Sequence, residues 1–265
     1  MLGIIKERIH QGFRTLNYPH ALPTLSARYR GKPVIAAGAC PTGCTACQQA
    51  CPTQAICLQG QREQGEGIAL DTGRCLFCGA CAQACPRQAI TFTREHRVAS
   101  PTREGLIITN TSPALPKRTA TRDLAMFARS LKFRQVSAGG CGACEADCNV
   151  LGTLSYDMAH FGLDFVASPR HADGLVVTGA VSENMRAALL DTYAATPEPR
   201  VVLAVGSCAC SGGLFATSNE CHNGVASLLP VDMYVPGCPP NPWSILDAML
   251  CIAWHKRFPH AEKGA

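Results

Sequence analysis

Nine of the 17 cysteines lie between Cys40 and Cys85, and their spacing defines a chemistry. Cys75-Leu-Phe-Cys78-Gly-Ala-Cys81-Ala-Gln-Ala-Cys85-Pro86 reads C-x2-C-x2-C-x3-C-P. In such a run a short loop wraps three thiolates around one iron–sulfur cluster and sends the fourth to a neighbouring cluster. The neighbour stands upstream as Cys40-Pro-Thr-Gly-Cys44-Thr-Ala-Cys47-Gln-Gln-Ala-Cys51-Pro52. Crossed ligation is therefore expected. One 4Fe–4S cluster takes Cys40, Cys44, Cys47 and Cys85, and the other takes Cys75, Cys78, Cys81 and Cys51. Such a pair carries single electrons.

The first run departs from the pattern, because Cys40 and Cys44 are separated by three residues. A bulged loop eased by Gly43 can still deliver both thiolates. The other reading leaves Cys40 aside and gives this site a three-iron or labile cluster.

The rest of the composition narrows the class. The chain has 265 residues, 47% hydrophobic and 16% charged, with a net charge of +5, which suits a two-domain globular protein. Lys and Arg are scattered, so nucleic acid is not an expected partner, whereas an acidic protein face could be. Disulfide scaffolds belong to short secreted chains, and CxxC repeats closed by proline are metal-ligand geometry instead. Met1 to Phe13 shows no signal-peptide pattern, and no apolar stretch approaches bilayer length. The expectation is a cytoplasmic protein whose membrane link, at the inner face of the cell membrane, runs through partner subunits. Nucleotide-binding glycine patterns are absent.

The elements that must position the cysteines follow from periodicity. Leu2, Ile5, Ile9 and Phe13 recur at helical spacing, either covering the domain's own core or docking another subunit; residues 1–32 read as that helix and an extended arm. Residues 33–93 hold the two-cluster module, which is internally repeated. Ala50-Cys51-Pro52-Thr53-Gln54-Ala55-Ile56 matches Ala84-Cys85-Pro86-Arg87-Gln88-Ala89-Ile90, so each half gives a loop, a short helix ending at Cys-Pro and a strand. Gly60 to Gly73 reads as a surface loop or hairpin, and residues 94–120 as a linker.

Residues 121–265 alternate strands with helices. A helix is expected over 121–131, then strands at Lys132–Ser137, Asp164–Ala167, Gly174–Thr178, Arg200–Val205 and Met233–Val235, with a helix over Ser182–Ala195 and another starting near Pro242. Apolar strands alternating with amphipathic helices imply a parallel sheet covered on both faces. Sites in such sheets form at the strands' carboxyl ends. That rule gathers Cys141-Gly-Ala-Cys144-Glu145, Gly206-Ser207-Cys208-Ala-Cys210 and Pro236-Gly237-Cys238-Pro239 on one edge. Cys141, Cys144, Cys208 and Cys238 would then hold a third 4Fe–4S cluster.

Over residues 122–255 these motifs resemble the small electron-transfer subunit shared by membrane-bound nickel–iron hydrogenases of the formate hydrogenlyase type and by respiratory complex I. The cysteine-rich half resembles the two-cluster ferredoxin subunit of formate hydrogenlyase-type complexes, including Tyr29-Arg30-Gly31-Lys32-Pro33. The chain thus looks like a fusion of two subunits that are usually separate. The fold implied is α/β, with an N-terminal bacterial-type ferredoxin domain (α+β). After it comes a flavodoxin-like three-layer parallel-sheet domain carrying a cluster at the strand C-termini. The resemblance implies a subunit without a complete active site of its own, passing electrons through three 4Fe–4S clusters to or from a hydrogenase- or complex I-like large subunit. An electron donor or acceptor subunit and membrane-embedded subunits complete the complex. The C-x-x-C at Cys141 fits the hydrogenase branch, since complex I counterparts place two adjacent cysteines there. Two further classes are a quinone-reducing subunit without hydrogenase activity and a stand-alone ferredoxin-type carrier. An iron–sulfur sensor or scaffold is another.

Some residues read more plainly. Cys57 and Cys251 behave as small core hydrophobes, Cys221 beside His222 as a loop residue, and His160, His171 and Asp173 as surface or packing residues. Cys148 could lie one helical turn from Cys144, and Cys210 could compete with Cys208. Glu145 is open between a proton relay facing the large subunit and a first-turn charge favoured by the helix dipole.

Overall fold

The computed structural model describes residues 2–12, 18–36, 43–59, 67–112, 127 and 130–253. The first helix, α1 (Leu2–Gln11), leaves Ile4, Ile5 and Ile9 exposed. Of the apolar stripe, the described Ile5 and Ile9 do not cover the chain's own core.

The cysteine-rich module is built on short strands. β1 (Pro33–Ile35) pairs with β4 (Ile90–Phe92), antiparallel. β2 (Ile56–Gln59) pairs with β3 (Gly67–Asp71), and β3 with β5 (Ile107–Ile108). The hairpin reading of Gly60 to Gly73 holds from Gly67 onward, because Ile68 and Leu70 must be buried. Two short helices, α2 (Ala46–Gln49) and α3 (Ala80–Ala84), follow the cysteine loops. The internal repeat survives in backbone detail: Gln54 and Gln88 sit at φ 51° and 50°, and each N–H bonds the carbonyl of the preceding Cys51 or Cys85.

Residues 94–112 are not a tether, which corrects the linker expected over 94–120. Ile108 pairs with Leu70, and His96, Ala99, Ser100 and Leu106 are buried. Ser100 forms a bridge with Tyr234 of the second domain. Arg103 clamps Asp71 with both guanidinium nitrogens, one at 2.7 Å. An apolar Leu106-Ile107-Ile108 run and an available sheet edge fix this segment in place. The expected helix at 121–131 lies outside the described residues except for Phe127, Ser130 and Leu131.

The second domain is a five-stranded parallel sheet. Its strands are β6 (Leu131–Ser137), β7 (Leu163–Phe165), β8 (Gly174–Thr178), β9 (Val201–Val205) and β10 (Met233–Val235). Their order is β10-β9-β8-β6-β7, the 2-1-3-4-5 order of flavodoxin-like sheets. β6 starts one residue earlier than expected and β7 at Leu163, because Leu131 and Leu163 pair with each other and are fully buried. Alternation sends Val201, Leu203 and Val205 of β9 into one core and Val202 and Ala204 into the other. α7 (Pro242–Ala253) packs on the first face and α5 (Glu183–Ala195) on the second. The sheet is thus covered on both faces, as an all-parallel sheet requires.

α7 is buried almost all round, which calls for cover from outside the sheet. The N-terminal arm supplies it: Tyr18 donates to the buried Asp247 at 2.7 Å. The same hydroxyl accepts from His96 Nε2 at 3.1 Å. Among the described residues no helix is long and apolar enough to cross a membrane.

Candidate metal centres

Each cysteine loop is shaped by local backbone. The tetrapeptide Cys-Gly-Ala-Cys occurs twice, at 78–81 and 141–144. Gly79 (φ 81°, ψ 3°) and Gly142 (φ 86°, ψ −9°) both cap a helix in the left-handed conformation, which residues with a Cβ avoid. The turn leaves the first cysteine in the loop and puts the second in the helix's first turn, in two unrelated domains.

In the first domain Cys47, Cys75 and Cys81 are buried, Cys44, Cys51 and Cys85 half-buried, and Cys78 exposed. Cys40 lies outside the described residues, and Gly43, three residues on, adopts φ 77°. A cavity is lined by Cys51, Cys75, Cys78 and Cys81 with Ile56 and Leu70. The last cysteine of the first run therefore stands with the loop of the second. Ala55 N–H points at Cys51 Sγ and Ala89 N–H at Cys85 Sγ, both at 3.2 Å. Phe77 N–H approaches Cys75 Sγ at 3.3 Å. Such donors stabilise sulfur that carries negative charge.

The third group sits where the sheet register puts it. Ser137, Thr178, Val205 and Val235 are in one row across β6, β8, β9 and β10. The loops leaving β6, β9 and β10 carry Cys141 and Cys144, Cys208, and Cys238. Cys144 starts α4 (Ala143–Asn149), and Cys208 lies on α6 (Ser207–Ser211). Cys141 and Cys238 are exposed, Cys144 and Cys208 half-buried. Gly206, at φ 97° and ψ 155°, is where Cys144 packs: a Cβ there would lie 2.5 Å from Cys144 Sγ.

The donor set suits four-iron clusters, which take four cysteine thiolates each. Thiolates on one ion stand roughly 4 Å apart, from a metal–sulfur bond near 2.3 Å, and no group of three such side chains among the described residues is arranged to hold one ion. A four-iron cluster would instead take its ligands from thiols carried on separate loops, as these are. Burial also disfavours the thiolate form of Cys75, Cys81, Cys144 and Cys208. Burial pushes Cys75 up to about 12, opposed by Phe77 N–H and reinforced by Cys81, Cys51 and Cys78. Burial likewise pushes Cys81 up to about 11, with Cys51, Cys78 and Cys47 adding to it. Cys208 rises to about 11 through burial and then Cys238 and Cys141, and Cys144 rises through burial, Glu145, Cys148, Cys208 and Cys238. Crowded thiols of this kind are metal-ligand chemistry.

The surplus cysteines separate cleanly. Cys210 is buried in the core on the α5 face and approaches the Ala204 carbonyl at 3.6 Å, so it does not compete with Cys208 for the sheet edge. Cys148 is fully buried in the opposite core. Cys251 is half-buried against that core, and Cys221 half-buried in a loop paired with Ser182. Cys57 is exposed, against the core reading, because its neighbour Ile56 takes the inward face of β2.

Glu145 is held as a carboxylate. Its Oε1 accepts from Ser137 and Thr178 hydroxyls, each at 2.6 Å. Burial alone would raise its pKa, but these two donors outweigh burial and hold it below the usual carboxylate range. They tie the start of α4 to the ends of β6 and β8. Sequence reasoning missed Ser137 and Thr178, and also Ser207 and Ser211, which face the first domain. The i, i+4 serines of Ser-Cys-Ala-Cys-Ser were the available signal.

Residues 39–89 match the family model described as a 4Fe-4S dicluster domain, and residues 141–252 the model described as NADH ubiquinone oxidoreductase, 20 Kd subunit. An NADH-quinone oxidoreductase subunit of Nocardioides sp. is 41% identical over 143 residues, covering 54% of this chain and 76% of that protein. The same-named protein of Desulfovibrio desulfuricans is 47% identical over 111 residues, covering 42% of this chain and 60% of that protein. Formate hydrogenlyase subunit 7 of Escherichia coli is 40% identical over 125 residues, covering 46% of this chain and 48% of that protein. The chain thus spans only about half to three quarters of the length of these relatives. With thiols converging at the sheet's carboxyl edge and the Nocardioides protein matched over most of its length, the chain belongs to the NADH ubiquinone oxidoreductase 20 Kd subunit family.

Proposed function

We propose that the chain is an electron-transfer subunit of a multisubunit membrane-bound oxidoreductase. It fuses a two-cluster ferredoxin subunit to the family's own domain and carries three 4Fe–4S clusters in series. Each cluster, when bound, supplies a one-electron carrier. Cys40, Cys44, Cys47 and Cys85 hold the outermost, Cys51, Cys75, Cys78 and Cys81 the middle one, and Cys141, Cys144, Cys208 and Cys238 the last. One observation carries the series. Ser207, next to Cys208, bonds the carbonyl of Cys75 at 2.6 Å, so the loops of the middle and last sites touch.

The remaining residues serve the same task. Backbone N–H groups directed at Cys51, Cys75 and Cys85 favour the charged sulfur and so help set the potential. At the sheet edge Cys141 and Cys238 are exposed, and so are the large apolar side chains of Leu214 and Phe215, which follow α6. That edge suits cover by a large subunit holding a nickel–iron or quinone site, and the C-x-x-C at Cys141 favours the hydrogenase branch. The opposite end, near Cys44, would meet an electron donor or acceptor. The exposed Ile4, Ile5 and Ile9 of α1 suit docking to another subunit. Placement at the inner face of the cell membrane, through partners, completes the reading.

Anaerobic reconstitution followed by potentiometric titration under electron paramagnetic resonance (EPR) is the test. We expect about twelve iron and twelve sulfide per chain and three reversible one-electron reductions. Iron near eight would remove one site, and irreversible bleaching would favour a sensor or scaffold.

A further inference from the structure

We infer that Ser207 is the positioning residue across which electrons pass between the two domains. The inference rests on the proposed series of clusters and adds to it the atom that joins two of them. α6 assigns each of its residues a separate direction. Ala209 and Cys210 enter the core, Cys208 faces the sheet edge with Cys141 and Cys238, and Ser207 and Ser211 face the first domain.

Ser207 is 1% exposed. Its single hydroxyl proton is shared between the Cys75 carbonyl at 2.6 Å and the Gly237 carbonyl at 3.0 Å, while its N–H donates to Gly237 at 2.8 Å. Cys75 is a ligand of the middle site, Cys208 follows Ser207, and Cys238 follows Gly237. Three ligand-bearing loops from both domains therefore meet at one buried oxygen. Ser211 makes a parallel contact, Oγ to the Gly73 carbonyl at 2.9 Å, but Gly73 is not a ligand. It docks the domains without joining two sites. With both clusters bound, one electron would pass between the middle and last sites; no bond forms or breaks, and the hydroxyl proton stays on Ser207.

The test uses the full-length reconstituted chain. A flavin photoreductant delivers electrons in a flash, and freeze-quench EPR follows their arrival at the last cluster. Ser207→Ala should keep about twelve iron and slow that arrival severalfold, because the hydrogen-bonded contact between the two cysteine loops is lost. Ser211→Ala should stay near the wild-type rate, and Ser207→Thr, which keeps the hydroxyl, should restore it. Equal slowing in Ser207→Ala and Ser211→Ala would reduce both serines to docking and overturn the inference. So would an unchanged rate in Ser207→Ala, loss of its iron, or a slow Thr variant at full iron. If the wild-type chain holds all its iron and passes no electrons between domains, the proposed function fails instead.

Discussion

Replacing Gly206 with alanine should remove the last cluster and leave the other two. Two costs follow from the structure. At φ 97° and ψ 155° the residue lies in a region essentially reserved for glycine, so alanine adds about 1–3 kcal/mol of backbone strain. That is survivable for a chain of ordinary stability, about 5–15 kcal/mol. The steric cost is more selective. The new Cβ would lie 2.5 Å from Cys144 Sγ, against an ordinary contact of about 3.5–4 Å, so the sulfur must retreat by roughly 1 Å. Metal–ligand distances tolerate about 0.2 Å. Geometry, not fold stability, therefore decides the outcome. Iron should fall from about twelve to about eight per chain, with the middle and outermost EPR signals intact. Gly152→Ala is the control, since a Cβ there meets nothing within 4 Å. Full iron with an unchanged spectrum in Gly206→Ala would refute the reasoning, and so would loss of all iron.

Cys51→Ala and Cys75→Ala should abolish the same EPR signal, because both line one cavity; loss of different signals would exclude crossed ligation. Glu145→Gln should leave every cluster assembled yet slow turnover of the assembled complex, whereas Cys144→Ala loses the last cluster. Full activity in the Gln variant would leave Glu145 only its bonds to Ser137 and Thr178. Arg103→Ala leaves Asp71, four-fifths buried, without its bidentate partner. It should cost about 1–3 kcal/mol in denaturant unfolding, and a loss under about 0.5 kcal/mol would show that solvent already screens the pair.

The chain's local code was strong wherever a few adjacent residues settle the geometry. Cys-Gly-Ala-Cys fixes a left-handed glycine followed by a helix, so both of its occurrences fold alike in different domains. The repeat around Cys51 and Cys85 likewise foretold matching loops, to which the structure adds matching N–H donors. Strand periodicity placed β8 as expected, and the carboxyl-edge rule pointed to the end of the sheet where Ser137, Thr178, Val205 and Val235 stand in one row. Local pattern failed where a distant partner decides. Residues 94–112 look like a polar linker, yet they pack because Leu70 and Asp71 offer a sheet edge and an anion. Cys57 has a core-like composition around it, but strand alternation gives the interior to Ile56. Cys208 and Cys210 are equivalent in sequence, and only the turn of α6 over the sheet sends one to the edge and the other into the core. The contacts of Gly206 with Cys144 and of Ser207 with Cys75 join residues 62 and 132 positions apart. No periodicity encodes such pairs; they exist because a parallel sheet aligns its strand ends and a second domain docks against them.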